Sequence, residues 1–296
     1  MASSVFHRTG GLHLLRTLLW GSGLAIALLT QANPAAAKVI TRQEGSIRAT
    51  VSYDEENGCP DNTAQVVIER GDRTVLTRTI EPGACRLMGA RDDGLNIRDL
   101  DADGEPEIIL DWYSGGAHCC FFSLVYRYNS ATDRYEDSQK SWAHTAYQLR
   151  DMEGDRVPEF YSANNNFAYQ FAPFAGSAMP VQIWRYDRGQ FLDVTRQYPN
   201  EVYNDAFLWW QAFQEQQRTC VTGAQDACGE GFLAAYVATK ALLNQTEDAW
   251  TRVRQAYRGD GCTLDGCQGR EALFREIRQF LLAEGYLIEP PRRMPN

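Results

Sequence analysis

Asp99-Leu100-Asp101-Ala102-Asp103-Gly104-Glu105-Pro106-Glu107, running on into Ile108-Ile109-Leu110, is the stretch on which the reading of this chain turns. Acidic side chains stand at positions 1, 3, 5 and 9 of the loop, with glycine at position 6. When such a loop curls, oxygens at alternating positions converge on one point, and Gly104 permits the sharp turn. Asp99, Asp101, Asp103 and Glu107 would then hold four negative charges together, a repulsion that a divalent cation removes. Glu105 can add a backbone carbonyl. Calcium accepts about 6–8 oxygens with tolerant geometry and suits the loop better than magnesium, so Ca²⁺ is the predicted cation. The loop is not an EF-hand: Leu110 occupies position 12, and an apolar strand rather than a helix follows.

The same pattern occurs again downstream. Ile97-Arg98-Asp99-Leu100-Asp101-Ala102-Asp103 returns as Leu149-Arg150-Asp151-Met152-Glu153-Gly154-Asp155, and Pro106-Glu107-Ile108 returns as Pro158-Glu159-Phe160. Val125-Tyr126-Arg127-Tyr128-Asn129 returns as Ile183-Trp184-Arg185-Tyr186-Asp187. The offset is 52 for the first blocks and 58 for the last, so one loop is six residues longer in the second unit. A period near 50 residues is typical of β units such as propeller blades. Ile68–Thr77 is a candidate outer hairpin of an earlier, degenerate unit, which makes two or three units in all. A closed propeller uses about 4–8 blades, so an incomplete or open arrangement is predicted. In the second copy Glu153 is longer than Asp and Arg156 replaces the turn glycine. That predicts a turn neutralised by Arg156 rather than by an ion.

DLDADGEPEI with its following strand, repeated as DMEGDRVPEF, resembles the FG-GAP/VCBS-type repeat family. The resemblance covers about 97–195, roughly a third of the chain. It implies β-propeller-like blades and a calcium loop whose ligands would be Asp99, Asp101, Asp103, the carbonyl of Glu105, and Glu107. The Phe-Gly and Gly-Ala-Pro part of the repeat is not clearly present. Members of that family are mostly adhesion, scaffold or accessory domains, and some are parts of enzymes.

Working outward, 38–199 is β-rich. Ser46–Tyr53, Glu107–Tyr113, Cys119–Tyr128, Val157–Ser162, Val181–Tyr186 and Phe191–Thr195 read as strands. Ala64–Arg70 and Arg73–Ile80 are joined by Gly71-Asp72, a two-residue hairpin signal. From 200 the periodicity becomes helical, with helices expected at Asp205–Gln217 (capped by Asn204), Glu230–Leu243, Glu247–Arg258 and Arg270–Glu284. The predicted class is α+β: an antiparallel β-repeat domain, 38–199, then a small helical domain, 200–296.

Residues 1–37 contain no acidic side chain. Arg8 and Arg16 precede an apolar run of 12 residues, Leu18 to Leu29. A membrane span needs roughly 20 such residues, whereas 12 fits a signal-peptide core followed by the small-residue site Ala35-Ala36-Ala37. Cleavage before Lys38 is predicted, with a secreted or periplasmic product. The eight cysteines (59, 85, 119, 120, 220, 228, 262 and 267) all follow that point, and an even count in an exported chain reads as disulfides. Cys59 and Cys85 flank a hairpin and are a reasonable pair. Cys220, Cys228, Cys262 and Cys267 lie in loops at one end of the helices, as two loop-internal or two cross-loop bridges. Cys119 and Cys120, read as strand neighbours, would point to opposite faces and not join each other; a vicinal redox pair is the sharper alternative.

Composition sets outer limits. At 44% hydrophobic and 23% charged the chain can bury a core, and a net charge of −9 argues against a nucleic-acid surface. No membrane association is expected after cleavage. Arg127 and Arg185 stand at matched repeat positions beside aromatic residues, which suggests cation–π stacking, or a contact with an anion or sugar. Gly115-Gly116-Ala117-His118-Cys119-Cys120 is the most conspicuous catalytic candidate, and Asp111 and Glu159 are candidate acid–base carboxylates. None of these forms a recognisable catalytic motif. The leading expectation is therefore an exported calcium-binding protein without catalysis of its own, binding or scaffolding an extracytoplasmic protein or glycan. The alternative is an extracytoplasmic hydrolase with carboxylates or His118 at a pocket between the domains.

Overall fold

The structure is a computed structural model that describes residues 37–53, 63–80, 86–89, 93–116, 119–220, 228–263 and 266–288. Three antiparallel sheets follow one another along the chain. The first contains β1 (Lys38–Glu44), β2 (Ile47–Tyr53), β3 (Ala64–Arg70) and β4 (Arg73–Ile80), in sequence order. In the second, β7 (Glu107–Tyr113) pairs with β5 (Arg86–Leu87) and β6 (Leu95–Arg98) along one edge. Its other edge pairs with β8 (Phe121–Asn129), and β8 pairs with β9 (Arg134–Ala143). The third is again a meander: β10 (Gln148–Arg150), β11 (Glu159–Ala163), β12 (Val181–Asp187) and β13 (Gln190–Asp193). Four helices follow: α1 (Pro199–Thr219), α2 (Glu230–Leu242), α3 (Thr246–Ala256) and α4 (Arg270–Ala283). The class is α+β. Between α3 and α4 a small ribbon pairs β14 (Cys262–Thr263) with β15 (Gly266–Cys267).

Strand alternation assembles the sheets into layers. Ile108, Leu110 and Trp112 of β7 pack with Val51, Val66 and Ile68 of the first sheet. Ile109 of β7 and Val125 of β8 point the opposite way and pack with Phe160 and Tyr186 of the third sheet. Side chains along a strand face alternate sides, so a sheet covered on both sides needs a near-continuous apolar run. Glu107–Tyr113 is such a run, buried from Glu107 through Trp112. Beyond the third sheet, Val181 and Ile183 pack against Val194, Tyr198 and Val202. The helical core is built on Phe213, Leu233, Val237, Trp250, Leu273 and Ile277. All of this lies in one compact unit, 36–296, and the expected change of pattern at 199/200 falls at the first residues of α1.

The six extra residues in the second repeat have a structural use. The β7–β8 connection is short, whereas the β11–β12 connection carries two short 3₁₀ turns, Asn165–Phe167 and Phe174–Gly176. Phe167 and Phe171 from this connection are buried in the helical core, so the longer loop docks the helices onto the sheets. Helix α1 begins at Pro199 rather than Asp205, because proline at the first helical position supplies its fixed φ and loses no needed N–H.

Cys119 and Cys120 are bonded to each other, contrary to the expectation that they would not join. The strand begins only at Phe121, so the alternation that would separate the two side chains does not apply to them. Cys220 is bonded to Cys228, the loop-internal arrangement. Cys262 is also in a disulfide and sits opposite Cys267 in the ribbon. Cys59, Cys85 and His118 lie outside the described residues, as does the leader through residue 36. Among the described residues no helix is long and apolar enough to cross a membrane.

Candidate metal centre

The loop 99–106 joins β6 to β7, and the hairpin is closed by the Arg98–Glu107 pair in the strand register. Ala102 and Gly104 both take the left-handed conformation, with φ of 57° and 85°. Alanine pays a steric cost there that glycine does not, so two such turns wind the loop tightly only because its carboxylates hold it. Asp99 Oδ2 accepts from Gly104 N–H at 3.0 Å, and Asp103 Oδ1 accepts from Glu105 N–H at 2.9 Å. Glu107 Oε2 accepts from Leu100 N–H at 2.9 Å, which ties the start of the strand back to the start of the loop.

The structure brings three of the five expected ligands together. Asp99, Asp101 and Glu107 each offer an oxygen, and these oxygens lie within 4.8 Å of one another. Asp103 turns aside to Arg127, whose Nη2 donates to its Oδ2 at 2.7 Å. The Glu105 carboxylate leaves the loop altogether and forms a two-pronged pair with Arg70 of β3, with Nη2 to Oε2 at 2.9 Å. Arg70 also lies 4.0 Å from the centre of the Tyr128 ring. From the third sheet, Arg188 N–H donates to Asp101 Oδ2 at 3.0 Å. The one loop therefore touches all three sheets.

The electrostatics around Glu107 are incomplete. Its side chain is fully buried, yet Arg127 Nε stands 3.9 Å from Oε1, beyond hydrogen-bond range. Glu107 Oε1, Asp99 Oδ1 and Arg127 Nε are buried without a hydrogen-bond partner among the described residues. Burial pushes the Glu107 carboxyl up to about 8, against the Leu100 N–H, and Asp101, Asp103 and Asp99 add to the rise. A buried carboxylate with an unpaired oxygen beside further carboxylates is costly, and a proton, an arginine or a divalent ion would relieve it. The orphaned oxygens and the all-oxygen donor set fit Ca²⁺.

The second loop meets the same need differently. Asp151 accepts from the backbone N–H groups of Gly154, Asp155 and Arg156 at 2.8, 3.1 and 3.0 Å. Glu159, also fully buried, accepts from Met152 N–H at 3.2 Å, the counterpart of the Leu100 bond. Its other oxygen accepts from Arg185 at 3.1 Å (Nε) and 2.8 Å (Nη2), and Nη2 also reaches Glu153 at 2.9 Å and the Tyr198 hydroxyl at 2.9 Å. The neutralising charge is thus Arg185, not Arg156, because a guanidinium projecting from β12 reaches the buried Glu159. Arg127 and Arg185 do occupy equivalent positions, but they serve these acidic loops rather than aromatic stacks.

The remaining candidate carboxylate, Asp111, is engaged in structure, as is the polar turn at Asn165. Asp111 accepts from the Ser123 hydroxyl and from Tyr147 Oη at 3.0 and 2.8 Å, and Trp142 Nε1 extends this network to Ser123 at 2.7 Å. Asn165 Nδ2 donates to the carbonyls of Trp142 and Ala163 and to Thr145, and its Oδ1 accepts from His144 N–H. Sequence reasoning missed the Arg188 amide and the Arg70 clamp. Both come from other sheets, and no local pattern signals a contact across 35 or 87 residues.

Comparison with known proteins touches both halves of the chain. Residues 203–285 match the family described as the sll0997 C-terminal domain. A "probable thylakoid lumen protein sll0997" of Synechocystis is 29% identical over 219 residues, 73% of this chain and 62% of that protein. An "uncharacterized protein y4bJ" of Sinorhizobium fredii is 28% identical over 209 residues, 63% of this chain and 31% of that protein. The matches thus span less than two thirds of either relative's length. No solved structure matches.

Proposed function

We propose that this chain is an exported calcium-binding protein of FG-GAP/VCBS-like build, with no catalysis of its own, that binds or scaffolds an extracytoplasmic protein or glycan. The observation that carries the reading is the buried, unpartnered Oε1 of Glu107 beside Asp99 Oδ1, at the place where the second loop has Arg185. Asp99, Asp101 and Glu107 would hold the ion, with Asp103 and the Glu105 carbonyl as further donors. The ion's part is electrostatic: it cancels the clustered charge and fixes a loop already tied to three sheets. Three consecutive antiparallel sheets, two of them four-strand meanders and the middle one five-stranded, support a blade-like build. A secreted or periplasmic setting is supported by the charge-asymmetric leader, by the disulfides and by the lumenal name of one relative.

Thermal unfolding of the purified chain with millimolar Ca²⁺ against EGTA tests this. A ligand that binds only the native form raises the midpoint as its concentration rises above Kd. A rise with Ca²⁺ is expected. An unchanged midpoint up to millimolar Ca²⁺ removes the metal from this reading.

A further inference from the structure

The chain contains 26 Arg and only three Lys, at 38, 140 and 240. Arginine stays charged in proteins, whereas lysine can give up its proton when water is withdrawn from it. Where a chain that otherwise uses arginine keeps a lysine, its surroundings are informative. Lys240 is 8% exposed and pairs with Asp248 at 2.8 Å. Lys38 is exposed on β1.

Lys140 is neither. It lies on β9, the edge strand of the second sheet, and its Nζ sits over the Trp184 ring and 5.7 Å from the centre of the Trp142 ring. It makes no ion pair or hydrogen bond among the described residues. It opens onto a cavity of about 360 Å³ lined also by Trp184, Asn165, Asn166, Gln182 and Glu284. A second cavity of about 220 Å³ shares Gln182 and Glu284 and adds Asp193 and Arg196. The polar groups of the lining are mostly spoken for: Gln182 donates to Asp193 at 3.0 Å, Asn166 to Glu284 at 2.7 Å, and Arg196 to the Leu242 carbonyl at 3.1 Å. The amine is the group left over.

We propose that Lys140 is a carbonyl-reactive amine at the mouth of a small binding cavity, which takes an uncharged aldehyde as a reversible imine. The lone pair of the neutral Nζ forms the C–N bond to the carbonyl carbon. The two nitrogen protons and the carbonyl oxygen leave as water, giving Lys–N=CHR with no oxidant or reductant involved. The aromatic walls withdraw water and lower the Lys140 amine to about 8, with Asp193 opposing. Besides Lys140, the charged group lining this cavity is Glu284 after α4; Asp193 on β13 and Arg196 before α1 line the adjoining one. The Glu284 carboxylate at the wall disfavours an anionic ligand, the Asp193 and Arg196 charges next door offset one another, and an uncharged carbonyl compound is the fitting class. This site is separate from the 99–107 loop and needs no metal.

Reductive alkylation with propanal and cyanoborohydride, on the full chain with its disulfides intact, reads this directly. Peptide mapping scores Lys140 and Lys240 individually, and tandem mass spectrometry separates the Lys38 side chain from the α-amine that cleavage places on the same residue. At about pH 7.5, Lys140 is expected to be modified on the order of tenfold faster than Lys38, with a half-maximal rate near pH 8. Lys140→Arg keeps a cation over Trp184 and should keep the unfolding midpoint while losing modification there. Propionate, the anion of similar size, should not slow the reaction. Modification of Lys140 no faster than of Lys38 overturns the proposal, and protection by propionate overturns the uncharged ligand class.

Discussion

The loop at 99–107 and its copy at 151–159 start from one plan. Each follows a short strand, each ends in a fully buried glutamate, and each glutamate accepts from the backbone N–H of the loop's second residue. They then diverge at one guanidinium. Arg185 lies against Glu159 at 2.8 Å, whereas Arg127 is drawn away to Asp103 and stops 3.9 Å short of Glu107. The third aspartate of the first loop is what pulls Arg127 aside. The second loop also carries an acid at the equivalent position, Asp155, which accepts from Val157 N–H just as Asp103 accepts from Glu105 N–H, but Arg185 bonds to Glu153 and Glu159 and turns inward. The same backbone frame can thus be balanced by a fixed arginine or left open for a mobile cation, and one side chain's preference decides which.

The largest effect should come from removing the arginine that neutralises the second loop. Arg185→Met leaves Glu159 buried and unpaired, which by comparison with other broken buried pairs costs about 3–5 kcal/mol. Arg127→Met in saturating Ca²⁺ loses a pair to the partly exposed Asp103 and should cost about 1 kcal/mol or less. Urea unfolding of both variants measures the difference. Equal losses would mean that the two arginines do the same work, and the contrast drawn between the loops would fail.

The next effect sharpens the same contrast from the carboxylate side. Glu107→Gln replaces a buried carboxyl that has no cationic partner in hydrogen-bond range and that burial already keeps largely protonated near neutral pH, so in EGTA the variant should be as stable as the parent or more so. The Ca²⁺ increment, about 2.7 kcal/mol at a hundredfold excess over Kd, should vanish with it. Glu159→Gln should behave in the opposite way: a loss in EGTA, because Arg185 loses its buried counter-charge and keeps only the exposed Glu153, and an unchanged Ca²⁺ increment. Differential scanning calorimetry of both variants, with and without Ca²⁺, decides the matter. A Ca²⁺ increment that survives Glu107→Gln would move the ion away from this loop.

Much of this was legible in the sequence because it is local. The alternation of Asp99, Asp101 and Asp103, the turn glycine and the apolar run after Glu107 specify a curled loop feeding a strand buried on both faces. Gly71-Asp72 places a hairpin at the residues where β3 ends and β4 begins. The 52/58 offset marks an insertion, though not that Phe167 and Phe171 within it would reach the helical core. What stayed hidden is non-local. Arg156 looked like the neutralising charge because it lies inside the loop, yet its backbone serves Asp151 and the charge arrives from β12. Strand pairing, not sequence proximity, sets which arginine faces which glutamate. Cys119 and Cys120 were misread because the start of β8 could not be fixed to within two residues.

A half-buried acid in the helical part has neither a cluster of carboxylates nor an arginine beside it. Asp205 of α1 accepts from Val181 N–H and from Trp209 Nε1, both at 2.9 Å, and has no cation beside it. Burial pushes its carboxyl up to about 6, with the two hydrogen bonds pulling the other way. An unfolded aspartate titrates near about 3.9, so between about pH 4 and 6 the folded chain binds the proton more tightly than the unfolded chain does. Stability from this group is therefore highest below about pH 4, falls as the pH rises to about 6, and is level above it. Asp205→Asn keeps an oxygen for the Val181 and Trp209 donors and removes the titration. Relative to the parent it should gain about 1–2 kcal/mol between pH 4 and pH 7, discounted for the residue's partial exposure. Urea unfolding at several pH values reads the gap, and parallel profiles for the two proteins would mean that the Val181 and Trp209 bonds alone hold this charge as well as Arg185 holds Glu159.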